Sequence, residues 1–206
     1  MFRFTRFTGA SAAHRISFGF SRRRQPAVTT TAQRLWLSSS PASDNDGLYD
    51  KVAFIGTGKM AQAMLKPLIK GGHQPEDKVA IFDVSTSAMQ EVQSEFPQIQ
   101  MAQSIKDLVQ DADLVVCGVK PQNINPSFWS QFPEDIRDDA TFVSILAGTP
   151  ISEFVPSGFK KLVRSMPNTP ATIGQGMTVW SCTPNLTSSE RQSVKRVLST
   201  FGKAVR

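Results

Sequence analysis

The feature that most constrains this chain is Gly56-Thr57-Gly58-Lys59-Met60-Ala61, a G-x-G-x-x-A hexapeptide. It stands between an apolar run, Val52–Ile55, and a segment whose Met64, Leu65, Leu68 and Ile69 recur at helical spacing. A strand that turns on glycine into a helix brings unpaired backbone N–H groups and the positive end of the helix dipole together, which is what an anionic pyrophosphate requires. The first glycine permits the tight turn, the second lets backbone approach a phosphate, and the small Ala61 lets helix and strand pack closely. Asp83 closes the next apolar run about 20 residues on, where an acid accepts hydrogen bonds from an adenosine ribose and opposes a 2′-phosphate. Ser85, Thr86 and Ser87 follow. They offer donors to a phosphate, but they also spell a helix N-cap with Ser87 and Gln90 as its box.

The same alternation continues along the chain. Apolar runs at 78–83, 99–102, 113–119 and 141–147 are followed by amphipathic stretches at 87–96, 105–110, 122–132 and 151–155, the pattern of βαβ units. The runs Leu114–Cys117 and Phe142–Leu146 lack period-two polarity, as expected of central strands covered on both faces. The expected fold class is therefore α/β, a doubly wound Rossmann-type parallel sheet occupying residues 48–206. Lys161–Met166 and Met177–Cys182 add strands. Thr187-Ser188-Ser189-Glu190 is a capping box that opens a helix with Val194, Val197, Leu198 and Phe201 on its apolar face, and Gly202–Arg206 begins a further strand.

Charge is unevenly placed. The formal net charge is +6, yet residues 1–43 hold seven arginines and no lysine or acid, which leaves 16 basic against 17 acidic residues in the remainder. The globular part is near neutral, so nucleic acid and a membrane surface are not expected partners. An Arg- and Ser-rich, acid-free stretch dotted with Phe2, Phe4, Phe7 and Phe18 has the composition of a transit peptide, and Ser38–Gly47 that of a linker. Residues 1–47 are expected to be a disordered targeting segment with a mitochondrial destination, a plastid being the alternative. No run approaches the ~18 apolar residues of a membrane span. Cys117 and Cys182 both fall in strand-like runs and read as small core residues. The histidines, His14 and His73, are too few for a zinc site or a Ser/His/Asp triad, so no metal is expected.

Two further motifs stand at strand ends, where doubly wound sheets bind ligands. In Gly118-Val119-Lys120-Pro121, Lys120 either faces a phosphate or acidic substrate or is a solvated surface residue. In Met166-Pro167-Asn168-Thr169-Pro170 two prolines hold the intervening residues extended and fix where Asn168 and Thr169 point.

Together VAFIGTGKMAQAM, DLVVCGVKPQNI, SILAGTPISE and RSMPNTPATIGQGMT, at Val52–Met64, Asp113–Ile124, Ser144–Glu153 and Arg164–Thr178, resemble pyrroline-5-carboxylate reductases. The resemblance runs from about residue 50 to the C-terminus. It implies hydride transfer from NADPH or NADH to a cyclic imine, giving proline. It also implies that Ile55, Gly56, Thr57, Gly58, Lys59 and Met60 cradle the pyrophosphate, and that Asp83 and Ser85 lie beside the adenosine ribose. Gly118, Val119, Lys120 and Pro121 would contact the cofactor. Ile145, Leu146 and Ala147 would line the nicotinamide side, with Asn168 and Thr169 near the reacting ring. The sequence departs from the family twice. Ser104-Ile105 stands where members often carry an Asn that holds an NADP phosphate. The Gly/Ser-rich helical domain that binds the substrate carboxylate and builds the homo-oligomer has no counterpart here, so the proton donor is unknown. The expectation is a chain that binds nucleotide, turns over its imine substrate poorly and does not oligomerise as full-length members do. The competing expectation is a catalytically inactive NAD(P)-binding module.

Overall fold

The computed structural model describes residues 47–206; the expected targeting segment and all of the expected linker but Gly47 lie outside them. The segment leading into the sheet is tied in by Gln74, whose amide side chain is buried. Its Oε1 accepts from the backbone N–H groups of Leu48 and Tyr49 at 3.0 and 3.2 Å, and its Nε2 donates to the Tyr49 carbonyl at 2.7 Å. A buried amide that satisfies three backbone groups fixes the entry of strand β1 (Val52–Ile55).

From there the chain runs through helix α1 (Lys59–Lys70), β2 (Val79–Phe82), α2 (Thr86–Glu95), β3 (Gln100–Met101), α3 (Ile105–Val109) and β4 (Leu114–Cys117). It continues through α4 (Pro126–Trp129), β5 (Thr141–Ser144), β6 (Lys161–Pro167), β7 (Gly176–Cys182), α5 (Ser188–Leu198) and β8 (Gly202–Val205). The eight strands form one sheet in the order β3-β2-β1-β4-β5-β6-β7-β8. β1 sits between β2 and β4, with Val52 in register with Val79 on one side and Leu114 on the other.

Because strand side chains alternate, each strand feeds two cores. Val52, Phe54, Leu114 and Val116 face α1, α2 and α5, where they meet Met64, Leu68, Met89, Val92, Val197 and Phe201. Ala53, Ile55, Val115 and Cys117 face the other way, onto Ile105 and Leu108 of α3 and the rings of Phe128, Phe142 and Phe154. This is the doubly wound α/β arrangement expected from the sequence. Burial pushes the Cys117 thiol up to about 12, with the Val119 backbone N–H pulling the other way, so it is a neutral core side chain.

Three local expectations need correction. The stretch 122–132 is not one amphipathic helix but a 3-10 turn at Pro121–Asn123 followed by the single turn of α4. Pro126 forces Asn125 into an extended conformation, φ −153° and ψ 173°, and the Asn125 side chain caps the new turn through the Phe128 N–H at 3.1 Å. The N-cap of α2 is Ser85, whose hydroxyl accepts from the Ala88 N–H at 3.3 Å, rather than Ser87, which lies inside the helix. The sheet is not wholly parallel, since β7 runs antiparallel to β6. The connection at 168–175 is too short for the crossover of about a dozen residues that a parallel neighbour needs. Helix α5 then returns the chain so that β8 lies parallel to β7.

The capping box of α5 is present as read. Thr187 accepts from the Glu190 N–H and the Glu190 carboxylate accepts from the Thr187 N–H at 2.7 Å, while its other oxygen takes Lys161 Nζ at 2.6 Å. One acid thus caps the helix and pins it to β6. Helix α5 covers one face of the last two strands. On the other, Met177, Val179 and Val205 are exposed.

Candidate functional site

The helices that follow β1 and β4 leave toward opposite faces of the sheet, which opens a crevice at the carboxyl ends of these two strands. The ladder carries on past both: Gly56 N–H donates to the Phe82 carbonyl at 2.7 Å, and Gly118 N–H donates to the Ile55 carbonyl at 2.8 Å. These bonds bring the two glycines so close that a Cβ on Gly56 would lie 3.0 Å from the carbonyl carbon and oxygen of Gly118. A Cβ on Gly118 would lie 3.1 Å from Ala61 Cβ and 3.1 Å from Ile145 Cδ1. Gly56, Ala61, Gly118 and Ile145 therefore form one contact, and the small residues of the two separate motifs answer each other.

Gly58 differs. Its φ of −65° is open to any residue, and a Cβ there would meet no atom within 4 Å. The polypeptide alone does not require glycine at this position, so the bare backbone leaves room for something outside the chain. Gly58 is also the N-cap of α1, with no side chain capping the helix and no acid in its first turn. The orphan N–H groups of that turn carry the positive end of the helix dipole. An anion fits there.

The crevice is a cleft of about 630 Å³. Seven of the expected residues, Ile55, Gly56, Gly58, Asp83, Gly118, Val119 and Lys120, line it. Thr57, Lys59, Met60, Ser85 and Pro121 flank those residues in the chain without lining the cleft. Ile145 and Leu146 are buried behind it, Ala147 is exposed at the end of β5, and Asn168 and Thr169 lie exposed beyond β6. The Asn168 side-chain oxygen Oδ1 is engaged, accepting from the Met177 N–H at 2.8 Å. Asn168 is extended, but Thr169 opens a 3-10 helix, Thr169–Ile173, instead of continuing the extended path.

The rest of the wall was not legible as a site. Asn123, Asn125, Ser127, Phe128 and Gln131 fall in the stretch expected to be amphipathic, and Phe82 in the second apolar run, yet all line the cleft. So does Val84, which is 90% exposed at the end of β2, an isolated apolar side chain held in water beside the opening.

Asp83 is more constrained than a ribose-binding acid needs to be. Its Oδ2 accepts from the Thr57 N–H at 2.7 Å and the Thr57 hydroxyl at 3.1 Å, and its Oδ1 accepts from the Ser85 N–H at 2.9 Å. The carboxylate anchors the glycine loop to the end of β2 as well as facing the cleft. Among the described residues that line it, Asp83 and Lys120 are the only charged ones. Among the described residues, no group of three or more His, Cys, Asp or Glu side chains is placed to hold a metal ion.

Residues 51–148 match the family model described as NADP oxidoreductase coenzyme F420-dependent. A pyrroline-5-carboxylate reductase of Escherichia coli is 32% identical over 158 residues, which is 75% of this chain and 57% of that protein. The chain is similar to pyrroline-5-carboxylate reductases over that span. It spans just over half the length of the curated reductases it matches, and covers their N-terminal portion. Among solved structures, the reductase from Coxiella burnetii superposes with a TM-score of 0.67 at 21% identity, covering 76% of this chain and 58% of that one. The Plasmodium falciparum pyrroline carboxylate reductase with NADP bound superposes at 0.64 and 22% identity, covering 75% and 56%. At such identities these two reductases share the fold.

Proposed function

We propose that this chain binds NADH or NADPH in the β1/β4 crevice and forms the cofactor-holding part of a pyrroline-5-carboxylate reductase. The observation that carries the reading is the pairing at Gly56 and Gly118, which holds the two strand ends in backbone contact, beside an uncapped helix start with vacant room at Gly58. The orphan N–H groups of Gly58 to Met60 bind the pyrophosphate, Asp83 receives the adenosine ribose, and the exposed side chain of Val84 covers one face of the adenine. The bound dinucleotide supplies the hydride that adds to the C=N carbon of the imine. The chain contributes alignment, since Ile145 and Gly118 back the nicotinamide end and exclude water from it.

The Asp83 charge favours NADH over NADPH, because a 2′-phosphate would approach a carboxylate fixed by three donors. The hydroxyl of Ser85 is already used as the cap of α2 and is a poor phosphate ligand. Asp83→Asn removes the charge and keeps one acceptor oxygen for Thr57, so the NADPH-to-NADH affinity ratio rises roughly tenfold in that variant. An unchanged ratio in paired titrations contradicts this assignment.

Turnover is tested by mixing the purified chain with NADH or NADPH and following loss of the reduced nicotinamide's absorbance with and without pyrroline-5-carboxylate. Imine-dependent oxidation supports the reductase reading. Cofactor binding without oxidation reduces the chain to a nucleotide-binding module.

A further inference from the structure

Thr57 has every polar group committed within the protein. Its N–H and hydroxyl go to Asp83, and its carbonyl oxygen accepts from Gln62 Nε2 at 2.9 Å. The side chain of Gln62 thus reaches back from the first full turn of α1 to the loop that precedes the helix. Its own backbone N–H donates to the Gly58 carbonyl at 2.9 Å, so one residue holds two consecutive carbonyls of the glycine loop.

A trans peptide unit points its C=O and its N–H in opposite directions. With the Thr57 carbonyl drawn toward Gln62, the Gly58 N–H of the same unit is turned the other way, at the residue that lines the cleft. Glycine on the C-terminal side of this unit makes it easy to turn over. Turned over, it would present a carbonyl oxygen to an incoming phosphate in place of a donor.

Resting on the reading that the cleft binds a dinucleotide, we propose that Gln62 is a positioning residue that locks the Thr57–Gly58 peptide with its N–H toward the pyrophosphate. It touches neither cofactor nor substrate and acts through that one peptide unit. Its effect is confined to phosphate binding and is blind to the adenosine end and to the choice between NADH and NADPH.

The test compares the full chain with Gln62→Leu, which keeps the size and loses the donor, and Gln62→Arg, which restores a donor. Dissociation constants for NADH and NADPH are measured by titration, with inorganic pyrophosphate and adenosine as competing probes. In Gln62→Leu, NADH, NADPH and pyrophosphate each bind about tenfold more weakly, the loss of one hydrogen bond, while adenosine binding is unchanged. Gln62→Arg recovers most of that loss. Adenosine weakened alongside pyrophosphate shows a general disturbance of the loop and overturns the inference. Wild-type binding with an unaffected Gln62→Leu variant overturns this inference alone, whereas a wild-type chain that binds neither dinucleotide nor pyrophosphate overturns the cofactor reading beneath it as well.

Discussion

Gly56→Ala is expected to weaken dinucleotide binding on the order of 100-fold, equivalent to about 2.7 kcal/mol, and to lower stability as well. Gly56 has a φ of +88°, a region that costs an L-residue about 1–3 kcal/mol. The added Cβ would also lie 3.0 Å from backbone carbon and oxygen of Gly118 and 3.1 Å from Val119 N. Backbone cannot swing aside as a flexible side chain would, so relief requires prising the end of β1 from the end of β4. Gly118 has little space to yield, since Ala61 and Ile145 crowd its other side. The loop that moves is the one that presents the phosphate donors. Gly58→Ala is the matched control: its Cβ meets nothing and its φ is unstrained, so stability is unchanged while the methyl group occupies the space reserved for phosphate. Melting curves and NADH titrations on both variants separate the roles. Wild-type affinity in Gly56→Ala, or a destabilised Gly58→Ala, contradicts the assignment.

Phe142→Ala is expected to cost about 3–5 kcal/mol, a large part of the 5–15 kcal/mol that usually holds a domain together. Phe142 is fully buried on β5 at the centre of a ring cluster, its centroid 5.3 Å from Phe159, 5.6 Å from Phe154 and 6.3 Å from Trp129. Removing the ring leaves a cavity that α4, held as a single turn by Pro126 and Asn125, cannot fill by sliding as a unit. The loss reaches the cleft, because Phe132 packs on both Phe142 and Phe128, and Phe128 is part of the cleft wall. Urea unfolding checks this through a lowered midpoint at unchanged slope. A shift worth less than about 1 kcal/mol would show that the cluster collapses around the gap.

Where local chemistry dictates local structure, the fold can be read from the chain directly. The bounds of α1 at Lys59 and Lys70 follow from the glycine turn and the apolar spacing, and the start of α5 follows from Thr187 and Glu190. The Gly118 motif was legible as a strand end, but its reason, contact with Gly56, depends on the parallel register that places Ile55 beside Cys117. The same holds for Asp83. The register of Ile55 with Phe82 brings its carboxylate to Thr57, 26 residues away, and no window of sequence displays that pairing. The polar wall at Asn123, Asn125 and Gln131 was hidden for a different reason. Pro126 breaks what otherwise reads as one amphipathic helix, and the freed turns fold against the cleft instead of presenting an outer face. Gln74 looks like a turn residue, and its burial follows from three backbone groups of the entering segment that need partners.

The most direct test of the central claim is a titration of the purified chain with NADH and NADPH, read by isothermal calorimetry beside Gly56→Ala. Saturable one-to-one binding, tighter for NADH and weakened on the order of 100-fold in the variant, is the predicted result. Absence of binding to either dinucleotide, or binding that survives Gly56→Ala unchanged, would contradict the assignment of the β1/β4 crevice as a cofactor site.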